Sequence, residues 1–494
     1  MIIDHKSLKP LKIKFLCFGM PKVVRICKNT SQSGKLTGNQ VHPKSTSICS
    51  NPINLMSSPY SLLIRGANII LPNGESMVGD VLTRDRQIVE VAPQISTTAP
   101  TTEIDAQGLT LLPGVIDPQV HFREPGLEYK EDLFTASCAC AKGGVTSFLE
   151  MPNTRPLTTT QQALDDKLQR AASKCVVNYG FFIGATPENL PDLLLATPTP
   201  GIKVFMGSMH GQLLMDQEEA LDAIFARGDR LIAVHAEDQA RINQRRQEFA
   251  GIHDPAVHSQ IQDNQAALLA TQLALKLSRK YQRRLHILHM STAEEAELLR
   301  QDKPSWVTAE VTPQHLVLNT SAYDTIGTLA QMNPPLRSPH DNEVLWQALR
   351  DGVIDFIATD HAPHTLAEKA QEYPNTPSGM PGVETSLPVM LTAAQEGRCT
   401  VSQVVNWMSH AVAVAYGIPN KGAIAPGYDA DLVLVDLNTY HPVRREELLT
   451  KCGWSPFEGW NLTGWPVTTI VGGEIVYDQG KVNTQVRGRA LSFI

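Results

Sequence analysis

From residue 114 onward, short apolar runs alternate with stretches whose apolar residues recur every three to four positions. The runs fall at 114–122, 145–151, 178–185, 201–207, 230–236, 285–290, 306–312 and 354–359. They have strand length and are apolar enough to be covered on both faces. Helical periodicity lies between them at 133–142, 160–173, 217–227, 260–281 and 293–300. Eight strands, mostly alternating with helices, predict an α/β fold, a closed (β/α)8 TIM barrel. A doubly wound open sheet is the competing arrangement, but no glycine-rich phosphate turn follows any of the runs. Ahead of the barrel, 60–65, 67–71, 80–83 and 87–92 are strand-like, and Asn73-Gly74 marks a hairpin. Beyond it, helices are expected over 384–396 and 400–416. Strand and turn chemistry then returns at 422–427, 431–436, 467–471, 474–477 and 481–482, with a turn at Gly472-Gly473. The two β-rich flanks are expected to pair, so a small β-sandwich domain (56–113 and 421–494) brackets a barrel over 114–420.

Polar residues gather where the apolar runs end. The first run finishes in Asp117, Gln119, His121 and Arg123, which share a face if the chain is extended. The second ends at Glu150 and Asn153, the fourth carries Lys203, and the fifth ends in His235 and Glu237. The sixth contains His286 and His289, and the eighth ends in Asp360, His361 and His364. In a barrel these ends share the rim that carries the active site. Each residue alone also suits a solvated strand end or a hydrogen-bonded core histidine. Their recurrence at successive ends points to a metal site of imidazoles and carboxylates. Lys203 fits that site poorly as a cation; it is either a lysine reaching to the rim or a lysine carboxylated by carbon dioxide, able to bridge two metals. Asp360 is placed to take a proton from an activated water and pass it to a leaving amine.

The chain has 494 residues, is 42% hydrophobic and has a net charge of −7, which gives no support to a nucleic-acid partner. No apolar run reaches the roughly 18 residues of a membrane span. Eight scattered cysteines suggest reduced thiols in the cytoplasm and no disulfide framework. Residues 1–55 differ from the rest, with nine Lys or Arg against one acid, Asp4. This basic extension reads as a targeting segment, as a disordered arm for an acidic partner, or as a translated leader with the natural start at Met56.

Several stretches together resemble the class I dihydroorotases of the amidohydrolase superfamily. They are 117–126 (Asp-Pro-Gln-Val-His-Phe-Arg-Glu-Pro-Gly), 151–154 (Met-Pro-Asn-Thr), 202–206 (Ile-Lys-Val-Phe-Met) and 234–237 (Val-His-Ala-Glu). With them go 286–291 (His-Ile-Leu-His-Met-Ser), 332–337 (Met-Asn-Pro-Pro-Leu-Arg) and 358–364 (Ala-Thr-Asp-His-Ala-Pro-His). Single members recur in hydantoinases and allantoinases; 122–126 and 333–337 favour dihydroorotase. The resemblance implies zinc, one or two ions, with His121 on the first, Lys203 bridging as a carboxylated lysine, and His235 and His289 on the second. It implies Asp360 as both ligand and general acid/base. Arg123, Asn153, Asn333 and His364 would contact a small-molecule substrate, and Ser378 and Gly379 would close over it through main-chain atoms. It also implies a homodimer and an association with aspartate carbamoyltransferase. The family's usual His-x-His pattern is broken here, because Gln119 replaces the first His. An amide oxygen is a poorer zinc ligand than imidazole. The chain could therefore work with one firmly held metal, keep two with Gln119 a weak ligand, or be an inactive binding subunit. The otherwise intact set favours activity: reversible closure of N-carbamoyl-L-aspartate to (S)-dihydroorotate.

Overall fold

The computed structural model describes residues 60–209 and 211–494; the reading of residues 1–55 lies outside them. Eight parallel strands form the barrel. They are Val115–Val120, Val145–Glu150, Asn178–Phe181 continued by Ile183–Gly184, Ile202–Phe205, Ile232–His235, Leu285–Ile287, Val307–Val311 and Phe356–Ile357. Each pairs with the next in sequence, the third through its two halves on either side of Phe182. A parallel bridge between Val120 and His361 joins the eighth strand to the first and closes the ring. Every expected run is a strand, but several end early: the eighth, expected over 354–359, is only Phe356–Ile357. The polar tails have left the ladder to form the rim.

The barrel is held from outside and filled from within. Leu133–Lys142 begins with a capping box in which Asp132 and Thr135 satisfy each other's backbone N–H groups. Its buried face joins Val120, Phe148, Val204, Val234 and Val311 in one large apolar cluster. A second cluster takes Ile116, Leu149, Phe182, Ala233 and Phe356 from barrel strands and is completed by Val412, Tyr416 and Leu491. The helix expected over 260–281 begins only at Asn264, because the Asp263 side chain accepts from Ala266 N and starts a new helix after the short His258–Ile261 turn.

The flanks do pair. Thr110–Pro113, the last strand before the barrel, runs antiparallel to Leu432–Pro442, with Leu432 opposite Pro113 and Val433 opposite Leu112. That junction unites the two flanks in a nine-stranded sheet. The segments expected at 60–65 and 67–71 are one strand, Ser61–Ile70, with a register shift between Ile64 and Ala67 at Gly66 (φ 67°). The shift lets its first half pair with Thr102–Asp105 and its second half with Thr110–Pro113.

Candidate active site

A cavity of about 220 Å³ opens at the strand ends. His121, Lys203, His235, His289 and Asp360 line it, as do Arg123, Asn153, Asn333, His364, Ser378 and Gly379. Every residue singled out as a ligand, acid/base or substrate contact therefore reaches one space. Arg123 (φ 68°), His289 (φ 35°) and Asp360 (φ 46°) occupy the left-handed backbone region that side-chain-bearing residues avoid. These turns end the strands and carry the side chains over the barrel mouth.

Asp360 sits between two side chains of the first strand's end. Its Oδ1 lies 3.0 Å from His121 Nε2 and accepts from Gln119 Nε2 at 3.3 Å. His121 Nδ1 meets Asn153 Oδ1 at 2.7 Å, so that nitrogen carries the proton and Nε2 presents a lone pair or, when the ring is protonated, a second N–H. The backbone on either side of Asp360 is clamped. Asp117 accepts from Thr359 N at 3.1 Å and from Thr359 Oγ1 at 2.6 Å, and His361 Nδ1 accepts from Gly382 N at 3.0 Å. Asp117, although on the same strand as Gln119, supports the site from below and does not line the cavity. The first strand's register shifts between Asp117 and Val120, around Pro118, which has no N–H to give the ladder.

The second group centres on Lys203. His235 Nδ1 and His289 Nε2 lie 2.9 Å apart, and His235 Nε2 donates to Glu237 Oε2 at 2.7 Å. Glu237 is fully buried. Burial alone would raise its pKa, but the bonds from His235 and Ser208 and the charge of Arg337 hold it below the usual value. A carboxylate behind an imidazole fixes the ring's orientation and makes it a better ligand. Burial pushes His289 well below the usual imidazole value, helped by His235 and Lys203. Lys203 is fully buried, and its Nζ has no hydrogen-bond partner among the described residues. Burial brings its amine down to about 7, against the opposing pull of Asp360 and Glu310.

Arg123 and its neighbours form the other side of the cavity. Its Nε donates to Pro363 O at 3.0 Å, and Nη2 lies 3.2 Å from His364 Nε2. Ser378 O is 3.0 Å from the same imidazole nitrogen. Gly379 (φ 141°) packs so closely that a Cβ would meet Ala362 O at 2.4 Å, so only glycine lets this loop close over the site. Asn333 Oδ1 lies 2.8 Å from His258 Nε2. Lys369, buried and brought down to about 7 by desolvation, donates to Gln331 O and Pro377 O, each at 3.0 Å, and pins the same loop. His258, Lys369, Lys130 and the supporting role of Glu237 escape the sequence reading. Glu237 adjoins a quoted histidine, but the other three act through contacts distant in sequence.

Among the described residues no group of three His, Cys, Asp or Glu side chains is arranged to hold a metal ion. Three buried polar atoms nonetheless lack partners at this cavity: Gln119 Oε1, Lys203 Nζ and His289 Nδ1. An ammonium at Lys203 would repel a cation; a carboxylated Lys203 would supply the third anionic or imidazole donor beside His235 and His289. The residues fit a metal on that condition.

Residues 110–476 match the amidohydrolase family, and together with the dihydroorotase relatives this match supports a metal-dependent hydrolase of cyclic amides. The dihydroorotase of Methanosarcina acetivorans is 35% identical over 86% of this chain and 91% of its own length. That of Halobacterium salinarum is 38% identical over 76% and 87%, and that of Bacillus subtilis 33% over 85% and 99%. Among solved structures, the L-hydantoinase (dihydropyrimidinase) of Arthrobacter aurescens superposes with a TM-score of 0.84 at 30% identity, covering 88% of this chain and 100% of that one. A dihydropyrimidinase from Brevibacillus agri gives 0.81 at 26%, covering 88% and 98%. The chain belongs to the amidohydrolase family and is a relative of its dihydroorotases.

Proposed function

We propose that this chain is a dihydroorotase, interconverting N-carbamoyl-L-aspartate and (S)-dihydroorotate with loss or gain of water. The observation that carries the reading is the pairing within one cavity of a buried guanidinium, Arg123, with a buried acid/base, Asp360. Arg123 donates to one carbonyl, Pro363 O, and otherwise touches an imidazole, with no carboxylate paired to it among the described residues. A buried arginine without an acid partner suits a carboxylate brought by the ligand. Dihydroorotate has that carboxylate; simple hydantoins do not. Similarity to solved hydantoinases favours ring opening of hydantoins as the second reading.

Lys203 as a carboxylated lysine, with His235 and His289, would hold one zinc ion, and His121 and Asp360 line the same cavity; the ion would supply Lewis-acid activation of water and of the ring carbonyl. The neutral amine that burial favours at Lys203 is the form that adds carbon dioxide, losing a proton to become a carbamate. In ring opening, Asp360 accepts a proton from the attacking water and returns it to the departing ring nitrogen. Gln119 and His121 meet its Oδ1, leaving Oδ2 to handle the proton. Arg123 and Asn153 hold the substrate carboxylate, with His364 beside them. Asn333 and the Ser378-Gly379 main chain close over the ring. In synthesis the same groups act in reverse.

Purified protein supplied with zinc and bicarbonate is expected to interconvert the two compounds. Asp360→Asn should abolish kcat, whereas Arg123→Met should act mainly on KM; turnover surviving Asp360→Asn would overturn the assignment. The reading extends to a cytoplasmic homodimer that associates with aspartate carbamoyltransferase, tested by light scattering of the protein with and without that enzyme.

A further inference from the structure

His364 lies between two cations. Lys130 Nζ is 2.9 Å from its Nδ1, and Arg123 Nη2 is 3.2 Å from its Nε2. An ammonium has only donors, so Lys130 requires a lone pair on Nδ1. The ring proton then belongs on Nε2, where it donates to Ser378 O at 3.0 Å. The Arg123 contact to that nitrogen therefore brings two donors together and is no hydrogen bond. The guanidinium edge stays without a protein acceptor there, facing the cavity. Trp454 Nε1 donates to His364 O at 2.8 Å and fixes the backbone beneath the ring.

Lys130 is 8% exposed and is itself held by Glu368, Oε1 at 2.8 Å. Glu368 also takes Tyr129 OH at 3.1 Å and Thr365 N at 3.0 Å, and its Oε2 stands 4.0 Å from His364 Nδ1. The groups facing the imidazole are thus Arg123, Lys130, Lys369, Glu368 and the Ser378 carbonyl. Burial and then the three cations hold the ring well below its usual pKa, so it stays neutral.

We propose that Lys130 is a positioning residue for substrate binding: its ammonium locks His364 as the Nε2–H tautomer, which anchors the Ser378 carbonyl and leaves the Arg123 edge free for a carboxylate. This rests on the dihydroorotase reading only for the identity of that carboxylate. Without Lys130, the one charged neighbour left at Nδ1 is Glu368, which draws a proton there. The neutral ring then turns a lone pair toward Ser378 O and loosens the loop.

Nitrogen-15 histidine spectra of the full chain test this, with His364 assigned by comparison with His364→Gln. Wild type should show a neutral Nε2–H ring between about pH 6 and 9. Lys130→Met should show a neutral Nδ1–H ring over the same range. At about pH 8, KM for dihydroorotate should rise about tenfold with kcat changed less than about threefold, and Lys130→Arg should restore both. An unchanged tautomer in Lys130→Met, or a loss confined to kcat, would overturn the proposal. The spectra need no turnover, so a protein inactive on dihydroorotate refutes the substrate reading without touching the tautomer result.

Discussion

Replacing Lys203 with Met should abolish turnover and yet stabilise the metal-free protein. The lysine is fully buried, its Nζ lacks a hydrogen-bond partner among the described residues, and it lies 4.4 Å from the centre of the Phe205 ring. Burial lowers its pKa from 10.5 to about 7. The unfolded chain therefore binds this proton more tightly than the folded one. Below pH 7 the folded protein bears the full cost, about 5 kcal/mol as an upper bound. The cost falls to about 2 kcal/mol near pH 9 and vanishes above the unfolded value. Met has nearly the same shape and no charge, so it removes the cost at every pH. Urea unfolding of both proteins, with chelator and without carbon dioxide, should show the variant ahead by a few kcal/mol near pH 6.5. The lead should shrink as pH rises. A variant no more stable than wild type at about pH 6.5, or a gap independent of pH, would refute the reasoning.

Gln119→His should raise bound zinc from about one to about two ions per chain by metal analysis, since imidazole replaces an amide that bonds Asp360; unchanged content would place the deficit elsewhere. Glu237→Gln should weaken zinc affinity about 10- to 100-fold in chelator competition, because His235 loses its carboxylate. Lys167→Met should cost about 3–5 kcal/mol at neutral pH by leaving Glu150 buried and unpaired. That cost should diminish toward acid pH, where Glu150, already raised by burial, becomes neutral; a loss independent of pH would argue against the pair.

The barrel was legible because its eight strands are apolar on both faces and separated by helical periods. The site was legible because its ligands occur at the polar ends of those strands. The region between the seventh and eighth strands was not. Pro313–Val317, Ala322–Ile326 and Pro339–Arg350 are three helices that the reading left unassigned, although Ser338 and Asp341 form a capping box at the last. Two of them are only five residues long, too short for a period to stand out. The supporting residues were hidden for a different reason. Lys130 and His364 are 234 positions apart, and Asp117 and Thr359 are 242 apart. Only closure of the ring brings such pairs together, and no local pattern marks them. Gln119 was conspicuous as a departure, but its bond to Asp360 emerged only from the packed site.

The central claim is that a ligand carboxylate meets Arg123 while Asp360 handles the proton. The most direct test compares kcat/KM of one zinc-loaded preparation for (S)-dihydroorotate, hydantoin and dihydrouracil. A site built around an unpaired buried guanidinium should favour dihydroorotate by about 100-fold or more. Faster opening of hydantoin or dihydrouracil would contradict the account.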